Sequence, residues 1–322
     1  MARYLFFRNS RSTFEQISEL FNFIWPTATA LWNLRWQVRG LSQVLPNPTK
    51  ETMHGRFVAG SGIGSANLQR ACIELTWEGQ QAEFAKFILF NLFAIYEGWL
   101  ALTLAEIGFA SIEKSLQFPT TIARDGSARG VGSAFARLQQ DASIMMKDAF
   151  YSELSTHPKN SLSKIDNLLK TYRCFKELRN VVMHGGGIAG QKCIDAYNEF
   201  VTLTPSDLGV AEIPKVVAPS LGDPVKLVLR GVVGFSEIIL RLVATLDAEL
   251  ACTQGAEREF LSHWRAHFSG SGNSKVKRFP LSADRARRER HLRRLIGKLA
   301  LPRPANVSPI ESFLRNHRLV SW

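Results

Sequence analysis

The stretch WEGQQAEFAKFILFNLFAIYEGWLALTLAEI, residues 77–107, decides how the whole chain is read. It has no proline and is apolar nearly all the way round a 3.6-residue period, the pattern of a helix enclosed on every side. Its most apolar part, from Phe87 to Ala105, is also long enough to suggest a membrane span, but Glu97 sits in its middle. A carboxylate at mid-depth is costly in lipid, so the central helix of a globular core is the better reading and a membrane span the weaker one. Glu97 is the only charged residue between Lys86 and Glu106. Burying it alone is unfavourable, so a partner is expected. The partner could come from Arg179 or His184 on another helix. Equally, Glu97 could serve a structural ion pair or a rim position beside Gly98.

Outward from this helix, helical signals dominate. Thr13 with Gln16 resembles a capping box and opens a helix toward Val44, kinked at Pro26. A loop containing Pro46, Pro48 and the run Gly60-Ser61-Gly62-Ile63-Gly64-Ser65 follows. Phe118 to Gly132 reads as an exposed loop. Ser133 caps a helix that ends before His157-Pro158. Ser163 with Asp166 caps the next, which runs to His184 and stops at Gly185-Gly186-Gly187. Gln191 to Gly222 is irregular, with room for a short strand or two. Asp223-Pro224 starts a helix toward Cys252, and Glu257 to Phe268 forms another. Residues 269–274 (Ser-Gly-Ser-Gly-Asn-Ser) read as a linker. Beyond them, 282–299 is helical with Leu292, Leu295, Ile296 and Leu299 on one stripe, and Ser308-Pro309-Ile310-Glu311 is a capping box for a last short helix. The expectation is an all-α protein in three parts: an N-terminal helical extension (1–75), a helical core (76–268) and a basic helical tail (269–322).

Composition narrows the function. Of 322 residues, 45% are hydrophobic, enough for a real core. The net charge of +12 is concentrated at one end: 13 Lys and Arg stand against 3 Asp and Glu after residue 269, and 27 against 25 before it. A near-neutral body with a basic tail points to a polyanion, nucleic acid first among them. In the tail, Arg285, Arg287, Arg288, Arg290, Arg293, Arg294 and Lys298 are the candidate phosphate contacts, with a solvated helix face as the plain alternative. Lys170, Arg173 and Lys176 could extend that path, though a solvated face suits them better. Cys72, Cys174, Cys193 and Cys252 show no metal-binding spacing and no disulfide framework, so a reducing, cytoplasmic setting is expected. The opening MARYLFFRNSRSTFEQ turns polar too soon for a secretory signal. His263 and His267 have metal-compatible i, i+4 spacing, but no His-Glu-x-x-His arrangement and no third ligand is apparent, so they read as a surface pair. Gly60 to Gly64 lacks the Gly-Lys-Ser/Thr ending of a phosphate loop. No metal and no cofactor is expected.

The segment Phe175-Lys176-Glu177-Leu178-Arg179-Asn180-Val181-Val182-Met183-His184-Gly185-Gly186-Gly187 carries the chemistry. RNA can be cut without a metal when its own 2′-hydroxyl attacks the adjacent phosphate. Such a site needs a base, an acid and a cation for the phosphorane charge. Histidine serves as acid or base near neutral pH, and arginine grips phosphate with parallel hydrogen bonds. Asn180 and His184, four apart, share one helix face. Arg179 and His184, five apart, lie roughly 140° from each other at about 100° per residue, and converge only if the helix frays or turns at His184.

Arg179-Asn180-x-x-x-His184 is similar to the R-x4-H signature of HEPN domains, helical nucleases of toxin and antiviral systems, and Leu178 and Gly185 suit that pattern. The resemblance covers about Trp77 to Cys252. It implies a helical bundle that forms a homodimer with a composite RNA-cutting site. Arg179 and His184 would be catalytic with Asn180 in support, and Glu97 could match the polar residue the family often carries on an earlier core helix. It further implies an effector or toxin of prokaryotic defence, with a protein regulator or antitoxin as a partner. Two other readings fit the same residues: a non-catalytic RNA-binding module, and a helical scaffold or regulator that binds a protein.

Overall fold

The computed structural model describes residues 4–45, 47–268 and 278–322. The linker expected at 269–274, and Pro46, lie outside the described residues. The fold is all-α: the described residues form thirteen α-helices with short 3₁₀ and π-helical turns, and the strands described are two residues long. In chain order the α-helices are α1 (Arg8–Val44), α2 (Lys50–Phe57), α3 (Trp77–Ile107), α4 (Val131–Gln140), α5 (Ile144–Met146), α6 (Ser152–Leu154), α7 (Ile165–His184), α8 (Gln191–Val201), α9 (Pro205–Leu208), α10 (Leu229–Leu250), α11 (Gln254–Phe268), α12 (Arg285–Lys298) and α13 (Ser308–Asn316).

α3 is the axis of the bundle. Thr76 caps it by accepting from the Gly79 N–H, and Gly108 ends it in the left-handed region at φ 80°. It packs against α1, α7, α10 and α11. Its composition would also allow a membrane crossing, yet half of its most apolar window is buried inside the protein. Ile88, Leu89, Leu92, Phe93, Tyr96 and Leu100 are fully enclosed. Each of the Ile, Leu and Phe side chains among them contributes roughly 1.5–3 kcal/mol by leaving water. Around Phe93, the Phe175 and Phe235 rings stack at 4.4 Å and Tyr172 lies 5.2 Å away, joining α3, α7 and α10.

The expected extension and tail share this core. Ile17, Leu20 and Ile24 of α1, Leu292, Leu295 and Ile296 of α12, and Ile310 and Leu314 of α13 belong to the same continuous apolar cluster as α3. The N-terminal segment is anchored by the buried carboxylate of Asp247 on α10. That carboxylate accepts from the Phe6 N–H (2.7 Å) and the Phe7 N–H (3.1 Å). A smaller cluster of Val38, Met53, Val58, Leu68 and Cys72 closes the far end of α1.

Several local expectations are corrected. α1 begins at Arg8 rather than near Thr13, directly after the Phe6 and Phe7 amides that Asp247 holds from across the fold; it has no side-chain cap, and Pro26 lies inside it. The exposed loop 118–132 carries a two-residue antiparallel ladder, Thr121–Ile122 with Ala128–Arg129. The helix expected from Ser133 to His157 is broken: α4 starts at Gly130 (φ 66°), where Ser133 Oγ donates to the Gly130 carbonyl and does not cap, and a π-helical turn separates α5 from α6. Gln191 to Gly222 holds α8 and α9 in place of strands. Asp166 bonds the Thr120 N–H (2.6 Å) and leaves α7 without a side-chain cap. Asp223-Pro224 precedes α10 by five residues, because this segment pairs with the glycine loop after α7 instead. Ser308 is the first residue of α13 and not its cap; its N–H bonds Asn306 Oδ1.

Candidate functional site

α7 is helical through His184, and the Gly185 N–H still donates to the Val181 carbonyl at 3.0 Å. The chain reverses only at Gly186 (φ 62°) and Gly187 (φ 83°), conformations that glycine adopts freely. The loop is then tied down on both sides. Gly187 N–H donates to Val181 O (3.0 Å), Ala189 N–H to Asp223 O (2.9 Å), Gly222 N–H to Ala189 O (3.0 Å) and Val225 N–H to Gly187 O (2.8 Å). The three glycines therefore form a fixed reverse turn that leaves His184 exposed at the helix end.

Glu97 and Arg179 meet across the α3–α7 seam. Arg179 Nη2 lies 3.2 Å from Glu97 Oε2, Arg179 Nη1 donates to Asn180 Oδ1 at 3.2 Å, and the guanidinium covers the Phe93 ring at 5.2 Å. Lys176 Nζ stands 2.9 Å from Glu97 Oε1, and the Tyr172 hydroxyl donates to the same oxygen at 3.1 Å. Burial, and Glu97 next to it, push the Tyr172 phenol far above its ordinary value, which keeps it a donor. The Glu97 side chain is 29% exposed and that of Arg179 17%, so both charges reach the surface without being fully solvated.

The structure brings Glu97, Arg179 and Asn180 together, and sets His184 apart. Because α7 does not fray, Arg179 faces α3 while His184 projects one turn beyond Asn180. Among the described residues His184 makes no side-chain hydrogen bond. Neither the cavity of about 680 Å³ nor that of about 570 Å³ is lined by any of these four residues. Whatever this cluster engages, it engages at the surface. Sequence reading had not drawn Lys176 and Tyr172 into the cluster. Both lie on the α7 face toward α3, at three-residue and four-residue steps, and that register was the available sign. Arg173, set with Lys176 on a solvated face by sequence, instead pairs with Glu177 and covers the Phe118 ring at 4.3 Å.

The basic tail divides. Arg287, Arg290, Arg294 and Lys298 are exposed along one face of α12, and none of them has a carboxylate partner among the described residues. Arg285 is exposed but bridges Glu289 at 3.0 Å. Arg288 corrects the expectation of phosphate contact. It is buried, donates to Glu311 Oε1 (2.8 Å) and to the carbonyls of Ser282 and Ala283, and lies 4.7 Å from the Trp322 ring. Arg293 is half-buried and bonds the Pro304 and Ala305 carbonyls. Both hold the tail together and are spoken for.

Comparison with family models, curated proteins and solved structures found no match. The functional reading therefore rests on this geometry and on the Arg179-Asn180-x-x-x-His184 spacing alone.

Proposed function

We propose that the chain is a metal-independent endoribonuclease of HEPN type, acting as a homodimer in a prokaryotic defence system as a toxin or effector, with a protein regulator or antitoxin. The observation that carries this reading is an exposed histidine on a fixed helix end, five residues after an arginine held between a carboxylate, an amide and an aromatic face. In the reaction, the RNA 2′-oxygen bonds to the adjacent phosphorus as the bond from phosphorus to the 5′-oxygen breaks. One His184 takes the 2′-hydroxyl proton and the His184 of the second copy gives a proton to the departing 5′-oxygen. Arg179 receives the phosphorane charge, and Asn180 and Glu97 orient it. The product is a 2′,3′-cyclic phosphate.

A homodimer fits the angular separation of Arg179 and His184 on one helix, because a two-fold axis can set Arg179 of one copy beside His184 of the other. The exposed cations Arg287, Arg290, Arg294 and Lys298 supply RNA affinity without reading sequence. The deciding experiment is an RNA cleavage assay in EDTA, wild type beside His184→Ala, with product ends analysed. Cyclic-phosphate ends from the wild type only are expected. Cleavage that persists in His184→Ala rules the site out. Binding without cleavage by either protein favours a non-catalytic RNA-binding module, a reading supported by Arg179 being engaged within the fold.

A further inference from the structure

A second cluster of chemically capable side chains lies elsewhere on α3, about nine residues or roughly 13 Å along the axis from Glu97. Glu106 near the end of α3, and Glu259 and His263 on α11, place one donor atom each within 4.8 Å of the other two. They line the cavity of about 680 Å³, with His267 one turn beyond His263. From the sequence, His263 and His267 lacked a third ligand; the fold supplies carboxylates from two helices.

Two features set this cluster apart from an ordinary pair of surface carboxylates. First, among the described residues no lysine or arginine reaches salt-bridge distance of Glu106 or Glu259; His263 Nε2 stands 3.9 Å from Glu259 Oε2. Second, Glu106 is half-buried and held in place, since Asn9 Nδ2 donates to its Oε2 at 3.1 Å. A hydrogen bond from a neighbour to the non-ligating oxygen is how ligand carboxylates are commonly oriented. The Arg11 Nη1 group in the cavity wall is turned to the Leu5 and Phe6 carbonyls and does not neutralise the two carboxylates.

We propose that Glu106, Glu259 and His263 bind a divalent transition-metal ion, of which Zn²⁺ is the natural probe. Two carboxylate oxygens and one imidazole nitrogen form a donor set suited to Zn²⁺ or Mn²⁺ and poorly suited to soft Cu⁺. Small side-chain rotations bring the three to the usual bond lengths of about 2.0–2.2 Å. The ion ties the end of α3 to α11 and presents its open positions to the cavity. This site is separate from the Arg179–His184 cluster and stands whether or not the chain cuts RNA.

The test is equilibrium dialysis of the full chain with Zn²⁺ after chelator treatment, followed by Co²⁺ absorption spectroscopy. One equivalent of Zn²⁺ is expected to bind, and Co²⁺ to give visible bands of a nitrogen- and oxygen-ligated ion. His263→Ala and Glu106→Gln should each weaken Zn²⁺ binding at least about tenfold, while His184→Ala leaves it unchanged. His263 is half exposed, so its replacement leaves the fold intact and keeps the test decisive. Failure to bind one equivalent of Zn²⁺, or equal binding by wild type and His263→Ala, overturns the proposal.

Discussion

At the scale of single residues, two buried titratable groups pull stability in opposite directions. Desolvation pushes the Asp247 carboxyl up to about 6 from 3.8, although the Phe6 and Phe7 amides and Arg11 act against it. Desolvation pushes His157 down to about 4 from 6.5, with its Nδ1 accepting from the Lys159 N–H. Between these values the folded chain holds more protons than the unfolded chain at Asp247, so Asp247 lowers stability as pH rises from about 4 to 6. At His157 the folded chain holds fewer, so stability rises over about pH 4 to 6.5. The two slopes offset each other. Asp247→Asn removes the falling one, and its urea midpoint should therefore climb more steeply between pH 4 and 6 than that of the wild type. Parallel curves would show that Asp247 does not titrate there. At the seam, Glu97→Gln leaves Lys176 and Arg179 without their shared carboxylate, and should cost about 1–3 kcal/mol of unfolding free energy. No loss in denaturant melts would mean that the cluster is solvated.

At the scale of elements, close packing leaves room for little else at one helix joint. A Cβ on Gly255, at the start of α11, would stand 2.3 Å from the Ile107 carbonyl oxygen and 2.8 Å from Ile107 Cβ. Backbone cannot yield as a side-chain end can, so Gly255→Ala should cost about 1–3 kcal/mol, measured by thermal melting. An unchanged melting temperature would mean that α11 slides freely on α3. The same contrast between local and distant causes explains how much could be read beforehand. α3 was legible because its length and uniform apolarity are local. The end of α7 was legible from three consecutive glycines, and the Glu97 partnership from the cost of a lone buried carboxylate. What was missed depends on remote partners. Asp247 holds the Phe7 amide ahead of α1 from 240 residues away, the Gly185–Ala189 turn draws Asp223-Pro224 out of a helix start, and Glu311 makes Arg288 structural. His263 is exposed, as the sequence reading has it, but its approach to Glu106 could not be read, because Glu106 sits more than 150 positions earlier in the chain.

At the scale of the molecule, charge and core are distributed differently. The apolar core runs continuously from α1 to α13, so the tail is no loose appendage: α12 buries Leu292, Leu295 and Ile296 while turning Arg287, Arg290 and Arg294 outward. A fixed row of cations acts on a polyanion differently from a disordered one, because it loses no chain entropy on binding. If that row contacts single-stranded RNA, each phosphate neutralised adds about 0.7 to the salt dependence of log affinity. Replacing Arg287, Arg290 and Arg294 together with glutamine should then lower the slope by about 2, and weaken binding most at low salt. Arg288→Gln makes the matching control. Its guanidinium is bound to Glu311 and to two carbonyls, so that variant should lose melting temperature while keeping the wild-type salt slope. A triple variant with the wild-type slope would move the RNA path off α12 and onto the α3–α7 seam, where Lys176 and Arg179 are the cations within reach.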